Sequence, residues 1–184
     1  MALDPFASAE DYTNAYGATT ARTEDDLAAA SQAIRDDCGW HIWPLLEDVT
    51  LTLDGDGTNL IRLRTLKLIG VSSLTERKRG RGQVAETVDP AELDWSEAGL
   101  IWHDSGRCWT PRPRGIVVTI DHGYAELPAS IKQLTLTLAR RAAYNSSGQI
   151  VIQRSVGARS ESYAQDTTAS EAEVNLLNPY RIVR

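Results

Sequence analysis

The hydrophobic period of this chain changes twice, and that change constrains its architecture more than any other feature. Over residues 24–38 the apolar positions Leu27, Ala30, Ile34 and Cys38 recur at spacings of three and four, one face of an α-helix. Thr23 is placed to cap that helix, Glu24, Asp25 and Asp26 suit the positive end of its dipole, and Gly39 is placed to stop it. From residue 49 the period is two: Val49, Leu51 and Leu53 alternate with Thr50 and Thr52. A helical period returns after Pro128, with Ile131, Leu134, Leu138 and Ala142 on one stripe of a helix over residues 129–145. A β-period segment enclosed by helical ones reads as an inserted sheet. The expected class is therefore α+β: a helical core of three or four helices, a small antiparallel β-sheet domain inserted in it, and an extended C-terminal strand or arm. Residues 1–43 form the N-terminal helices of the core, 44–125 the inserted β domain, and 126–148 the central core helix. Residues 149–184 hold the extended strand, a short helix and a tail.

Inside the insert, Asp54 to Gly57 carries turn chemistry, and Ile61 and Leu63 resume the alternation, so residues 49–63 read as a β-hairpin. Leu66 and Leu68 alternate in the opposite parity, which calls for a break near Thr65. Two short strands flank Lys78–Gly82, and others cover Gly99–Asp104 and Gly115–Gly123, five or six strands in one sheet. Outside the insert, Ser8 with Asp11 and Gly17 brackets a short helix over residues 8–16. Ser170 with Glu173 is a capping box for a last helix over 171–177, which Asn178-Pro179 ends. Between the last two helices lies a polar, strand-like stretch, "SSGQIVIQRSVGARSESYAQD", with too little apolar side chain to bury itself.

Composition narrows the function. Apolar residues make up 42% and charged residues 24% of the 184, an ordinary globular balance, so a core is expected. No apolar run reaches the ~18 residues of a membrane span. The opening "MALDPFASAEDY" has no basic region followed by an apolar one, so it is not read as a secretory signal. The net charge of −6 is uneven. The first 48 residues carry ten acids against two bases, and residues 127–184 carry four acids against seven bases. The acidity speaks against a general nucleic-acid binder, and the asymmetry suits head-to-tail association of copies.

The chain offers little for chemistry. Cys38 and Cys108 are too few for a disulfide framework and read as small core side chains in a reducing compartment. With His41 and His103 they hold the donor types of a zinc site, but their spacing fits no ligand pattern and packing is the preferred reading. Asp54-Gly55-Asp56-Gly57 opens like a calcium loop, yet the twelfth position is Thr65, where a bidentate glutamate is required. Nucleophile, phosphate-loop and dinucleotide motifs are missing. No enzyme, cofactor or metal is expected. The basic loop Glu76–Gly82 reads as a solvated hairpin tip, with contact to DNA or an acidic partner as the alternative. Trp40, Trp43, Trp95, Trp102 and Trp109 read mostly as core, with one or two as interface anchors.

The order of the parts is itself informative. It runs "AASQAIRDDCGWHIWP" (Ala29–Pro44), an insert ending "VVTIDHGYAELPASIKQL" (Val117–Leu134), a helix reaching "RRAAYNSSG", the strand "VGARSESYA" and a final "SEAEVNLLNPYR". In that order and spacing the chain resembles, from about residue 6 to Arg181, the head-to-tail connector, or adaptor, proteins of tailed double-stranded DNA phages, in the form carried by phages of actinobacteria. Residues 72–98 match no feature of that family. The resemblance implies a non-enzymatic ring, usually of twelve copies, assembled in the bacterial cytoplasm beneath the portal protein at the capsid vertex. Such a ring continues the DNA channel without sequence-specific binding, receives the next head-closure or tail-completion protein, and needs no membrane. The alternatives are a head-closure or tail-terminator protein of the same connector, or a DNA-contacting packaging factor using Lys78–Gly82.

Three surface expectations follow. The strand over residues 149–164 is expected to pair its backbone with a neighbouring copy or with the portal. That makes Ile150, Ile152, Arg154, Val156, Arg159 and Tyr163 candidate interface residues, with Tyr180 and Arg181 of the tail. The acidic helix 24–37 of one copy is expected to face Lys132, Arg140 and Arg141 of the next, a heterologous contact that closes a ring. The turn at residues 54–57 and the N-terminal acids are candidates for an acidic lumen that repels phosphate.

Overall fold

The computed structural model describes residues 3–78, 80, 84–146, 154–156, 159–161 and 171–182. The chain divides into two compact units. One comprises Met1–Cys38 and Leu127–Pro179, the other Gly39–Glu126 and Tyr180–Arg184.

The first unit is helical. α1 (Ala9–Tyr16) has the capping box read from the sequence: Asp11 N donates to Ser8 Oγ at 3.1 Å, and Ser8 N donates to Asp11 Oδ2 at 3.0 Å. Gly17 ends it at φ 85°, its N–H on the Thr13 carbonyl. α2 (Thr23–Cys38) takes Thr23 into its first turn rather than leaving it as the cap. The Thr23 hydroxyl accepts from the N–H of Thr20, 2.8 Å away, and so ties down the loop before the helix. α3 (Ala129–Ser146) and α4 (Glu171–Leu177) follow the insert. The Ser170 end of the predicted α4 capping box lies outside the described residues. One cluster of its core comprises Ala7, Tyr12, Leu27, Ala30 and Ala139, with Tyr16, Leu136 and Leu138 against it, and Phe6, Ile34, Ile131, Leu134 and Leu177 are buried as well. Small residues let the helices pack closely. Ser31 sits at the junction, accepting from Phe6 N–H (2.9 Å) and donating to the Leu27 carbonyl (2.7 Å). Between α3 and α4, β8 (Arg154–Val156) and β9 (Arg159–Glu161) form a two-stranded ladder, so the polar stretch doubles back on itself there.

The second unit holds seven strands: β1 (Leu46–Leu53), β2 (Leu60–Arg62), β3 (Leu68–Arg77), β4 (Ala85–Val88), β5 (Leu93–Ser96), β6 (Leu100–His103) and β7 (Ile116–His122). They form two antiparallel sheets rather than one, in the orders β1-β7-β3-β4 and β2-β6-β5. The expected hairpin between β1 and β2 is not made. β1 pairs with β7 (Leu51 opposite Val118) and β2 with β6 (Ile61 opposite Ile101). The reason lies in the turn residues. Gly55 N–H donates to the Arg112 carbonyl (2.9 Å), Asp54 Oδ1 accepts from Arg114 N–H (2.6 Å), and Trp109 N–H donates to the Thr58 carbonyl (2.8 Å). The segment therefore clamps onto the loop before β7 and carries the chain from one sheet to the other. The break near Thr65 is real: Thr65 is buried in the link from β2 to β3, its hydroxyl accepting from Lys67 N–H at 3.1 Å.

Inward side chains alternate along β7, where Ile116, Val118, Ile120 and His122 are all buried. The three apolar ones share a core with Leu68 and Leu74 of β3, Ile101 of β6 and Trp109. Of the five tryptophans only Trp40 and Trp109 are buried; Trp43 and Trp102 are half-buried, and Trp95, on the edge strand β5, is 40% exposed. Cys38 is buried as expected, whereas Cys108 is exposed because it lies in the loop after β6 instead of on a strand.

The crossover leaves no room at Gly55, where a Cβ would lie 1.7 Å from the Thr110 carbonyl oxygen. Gly55→Ala is expected to destabilise the protein by roughly 3 kcal/mol in urea denaturation. Gly17→Ala, whose Cβ meets nothing within 4 Å, should cost only the left-handed backbone, about 1 kcal/mol.

Candidate functional site

The residues that sequence reasoning assigned to partners are best followed one at a time. Lys132 Nζ lies 2.7 Å from Asp11 Oδ1, joining α3 to α1. That hydrogen bond holds the Asp11 carboxyl below its ordinary value, helped by Ser8. The Arg140 guanidinium lies 4.4 Å from the centre of the Tyr16 ring and donates to the Tyr144 hydroxyl at 3.5 Å. Arg141 grips Glu173 in a fork, Nη2 to Oε1 at 2.8 Å and Nη1 to Oε2 at 3.4 Å, pinning α4 to α3. All three cations of α3 thus have partners in their own chain.

α2 is also engaged at home. Its Asp26, Ala29, Ala30 and Ala33 line a groove with Leu138, Arg141 and Ala142 of α3. Glu24, Asp25, Asp36 and Asp37 remain exposed on its other faces. In the tail, the Tyr180 carbonyl accepts from Trp40 Nε1 at 2.7 Å, its ring lies 6.0 Å from that of Tyr124, and Arg181 is half-buried. Arg154, Val156 and Arg159 fall on the β8–β9 ladder, opposite Glu161, Arg159 and Val156 respectively. Ile150, Ile152 and Tyr163 lie outside the described residues.

The acids proposed for a lumen serve the backbone. Asp54 receives Arg114 N–H, and Asp56 Oδ1 accepts from the N–H (2.9 Å) and hydroxyl (2.7 Å) of Thr58, which hold its carboxyl below the usual range. At the foot of the basic loop Lys78 pairs with Glu86 of β4 at 2.7 Å, and its carbonyl accepts from Arg112 Nη1 at 3.1 Å. Of the residues weighed for zinc, the His41 ring packs on His122, His103 Nδ1 meets the Ser105 hydroxyl at 2.8 Å, and Cys108 is exposed. Among the described residues no group of three or more His, Cys, Asp or Glu is placed to hold a metal.

Among the buried polar groups that sequence reasoning missed are Glu76 and His122. Glu76 is 2% exposed. Its Oε1 accepts from Thr110 N–H at 2.6 Å and its Oε2 from Arg107 Nη2 at 3.0 Å, fastening the end of β3 to the loop before β7. The signal was present, since Glu76 continues the inward parity of Leu74, but the neighbouring Arg77 and Lys78 drew it into a solvated loop. The second is His122, whose ring lies 4.4 Å from that of His41 with a buried Nδ1 that finds no donor or acceptor among the described residues.

No protein-family model matches the chain, and no curated protein is similar to it in sequence. Its fold is shared by solved structures that include two neck chains. A chain from the neck of an empty GTA (gene transfer agent) particle, computed with C6 symmetry, superposes with a TM-score of 0.62 at 17% identity, over 100% of this chain and 94% of that chain. A chain from the neck of a native GTA particle, computed with C12 symmetry, gives 0.58 at 19% identity, over 95% and 88%. At such identity the likeness is one of fold. The α+β fold is that of these neck proteins, and it does not single out phages of actinobacteria.

The histidine pair sets a pH dependence. Burial, reinforced by His41 and opposed by Asp121, pushes His122 from 6.5 down to about 4. The unfolded chain therefore takes up this proton at higher pH than the folded one. The stabilisation is fully present above pH 6.5 and falls by about 3 kcal/mol as the pH drops to 4. Urea unfolding measured from pH 7 to 4 should show this slope in the wild type and lose it in His122→Gln, which cannot protonate.

Proposed function

We propose that this protein is a head-to-tail adaptor in the neck of a phage-like particle. In this reading it forms a ring, of twelve copies in the C12 case, beneath the portal protein. The ring extends the DNA channel and docks the next head-closure or tail-completion protein. The observation that carries the reading is the fold likeness, over 95–100% of the chain, to chains from GTA necks computed with C6 and C12 symmetry. The order of sequence parts, from the alanine-rich α2 to the closing "NPYR", supports the same role independently. Genomic DNA passes through such a ring without sequence-specific contact, which suits a chain of net charge −6. Among the described residues no helix is long and apolar enough to cross a membrane. The site of action is the neck of the particle, after assembly in the bacterial cytoplasm.

The β8–β9 ladder supports a particular way of attaching. A two-stranded sheet leaves the outer edge of each strand without a strand partner among the described residues. Such an edge offers backbone N–H and C=O groups to a strand of a neighbouring copy or of the portal.

The test is an infection in which the gene carries an early stop codon, viewed by electron microscopy. DNA-filled heads beside separate, complete tails are expected. Normal particles would overturn the reading, and blocked packaging would point to a packaging factor instead. Deleting residues 149–163 should leave a folded protein, seen by an unchanged unfolding transition of its helices, that no longer enters particles.

A further inference from the structure

The helical unit has a groove floored by small residues. Ala29 and Ala33 of α2 are exposed one turn apart, and Leu138 and Ala142 of α3 flank them half-buried. With no bulk on that floor, a second helix can approach to the ~8–10 Å of packed axes. An acid stands at the groove without its full set of partners. Asp26 is 8% exposed, and its buried Oδ2 meets no donor among the described residues. A carboxylate taken out of water and left unpaired costs several kcal/mol unless a donor arrives. The nearby Arg141 does not fill the role: its terminal nitrogens donate to Glu173, and Asp26 Oδ2 is left without a donor among the described residues.

The complement lies on the same chain, on another face. Arg140 and Tyr144 sit about 200° around α3 from Leu138 and Ala142. Arg140 is exposed, and its contacts with Tyr16 and Tyr144 leave guanidinium N–H groups able to donate. Tyr144 is 45% exposed, a large aromatic surface near the end of α3. One face of the helical unit thus presents a small-residue groove with an acid short of a donor, and another presents a bulky ring with a cation.

We propose that the groove is the seat for α3 of a second copy of this chain, which lays Tyr144 over Ala29 and Ala33 and brings Arg140 to Asp26. The proposal rests on the ring reading above and names its contact. Groove and knob occupy different faces of one subunit, so the contact is heterologous, and repetition by a closing rotation makes a ring. The contact does not call on Lys132 and Arg141, which pair with Asp11 and Glu173 of their own chain. The acidic bias of the first 48 residues and the basic bias of residues 127–184 favour the same polarity of assembly.

Cross-linking in assembled particles tests it. In a Cys108→Ser background, Ala33→Cys and Tyr144→Cys are introduced singly and together in the gene supplied during infection, and particles are treated with a short bis-maleimide. A ladder of covalent multimers is expected from the double variant and from neither single one. Particles that contain the protein but yield no ladder would overturn the seat and leave the ring reading intact. Particles that form without the protein would overturn the ring reading itself. Independently, Ala33→Trp, which fills the groove, should lower incorporation into particles by about ten-fold or more while the isolated protein keeps its Tm. Unchanged incorporation, or a lowered Tm showing that the chain covers its own groove, would overturn the proposal.

Discussion

The rest of the β unit depends on the pairing of its first strand with its last. An insert must leave the host fold close to where it began, and β1 beside β7, with Leu46 opposite His122, brings Gly39 and Glu126 to the same end of one sheet. The Tyr124 N–H on the Ile42 carbonyl, at 2.9 Å, closes the two ends directly. β7 occupies one edge of β1, and β2 does not take the other but joins a second sheet. The residues between β1 and β2 become a crossover, and that crossover needs Gly55 under the Thr110 carbonyl. The buried Glu76 then serves the other side of the same loop, receiving Thr110 N–H and Arg107 together. A charge buried in this way is tolerable because its oxygens are met by good donors.

The same economy governs the helical unit. Its apolar core, with Leu27, Ile34, Ile131 and Leu134 buried, is supplemented by polar ties. Lys132 to Asp11 and Arg141 to Glu173 join α3 to α1 and α4, and Arg35 lies 4.2 Å over the Phe6 ring beside α2. Exposed ion pairs contribute little each, but the Arg141–Glu173 fork is partly buried and bidentate, the geometry in which such pairs count. Lys132 and Arg141, which look available in a helical wheel, thus have partners within their own chain.

Much of the fold was legible because it is local. The Ser8–Asp11 capping box, the Gly17 stop, the stripe of α2, the span of α3 and the bounds of α4 are each set by residues within a turn or two of one another. β7 and β6 were legible for the same reason, through period-two alternation. Strand partners were not. Asp54 to Gly57 carries hairpin residues, and only hydrogen bonds to Trp109, Arg112 and Arg114, far away in the chain, redirect the segment. The site was less legible still. Side-chain charge is written in the sequence, but whether Arg141 meets Glu173 or another copy depends on where α4 comes to lie.

What the sequence determined by itself is therefore the kind of protein: helices enclosing a β insert, an acidic front and a basic back, and an order of parts resembling phage adaptors. Those properties depend on periodicity, capping and composition, which act over a few residues or over the whole chain as a sum. What only the tertiary structure decided is the division into two sheets, the burial of Glu76 and His122, and the pairing of each cation of α3. These depend on contacts between residues far apart in the chain. Such contacts are selected by the collective packing of the core, and no single residue or spacing encodes them.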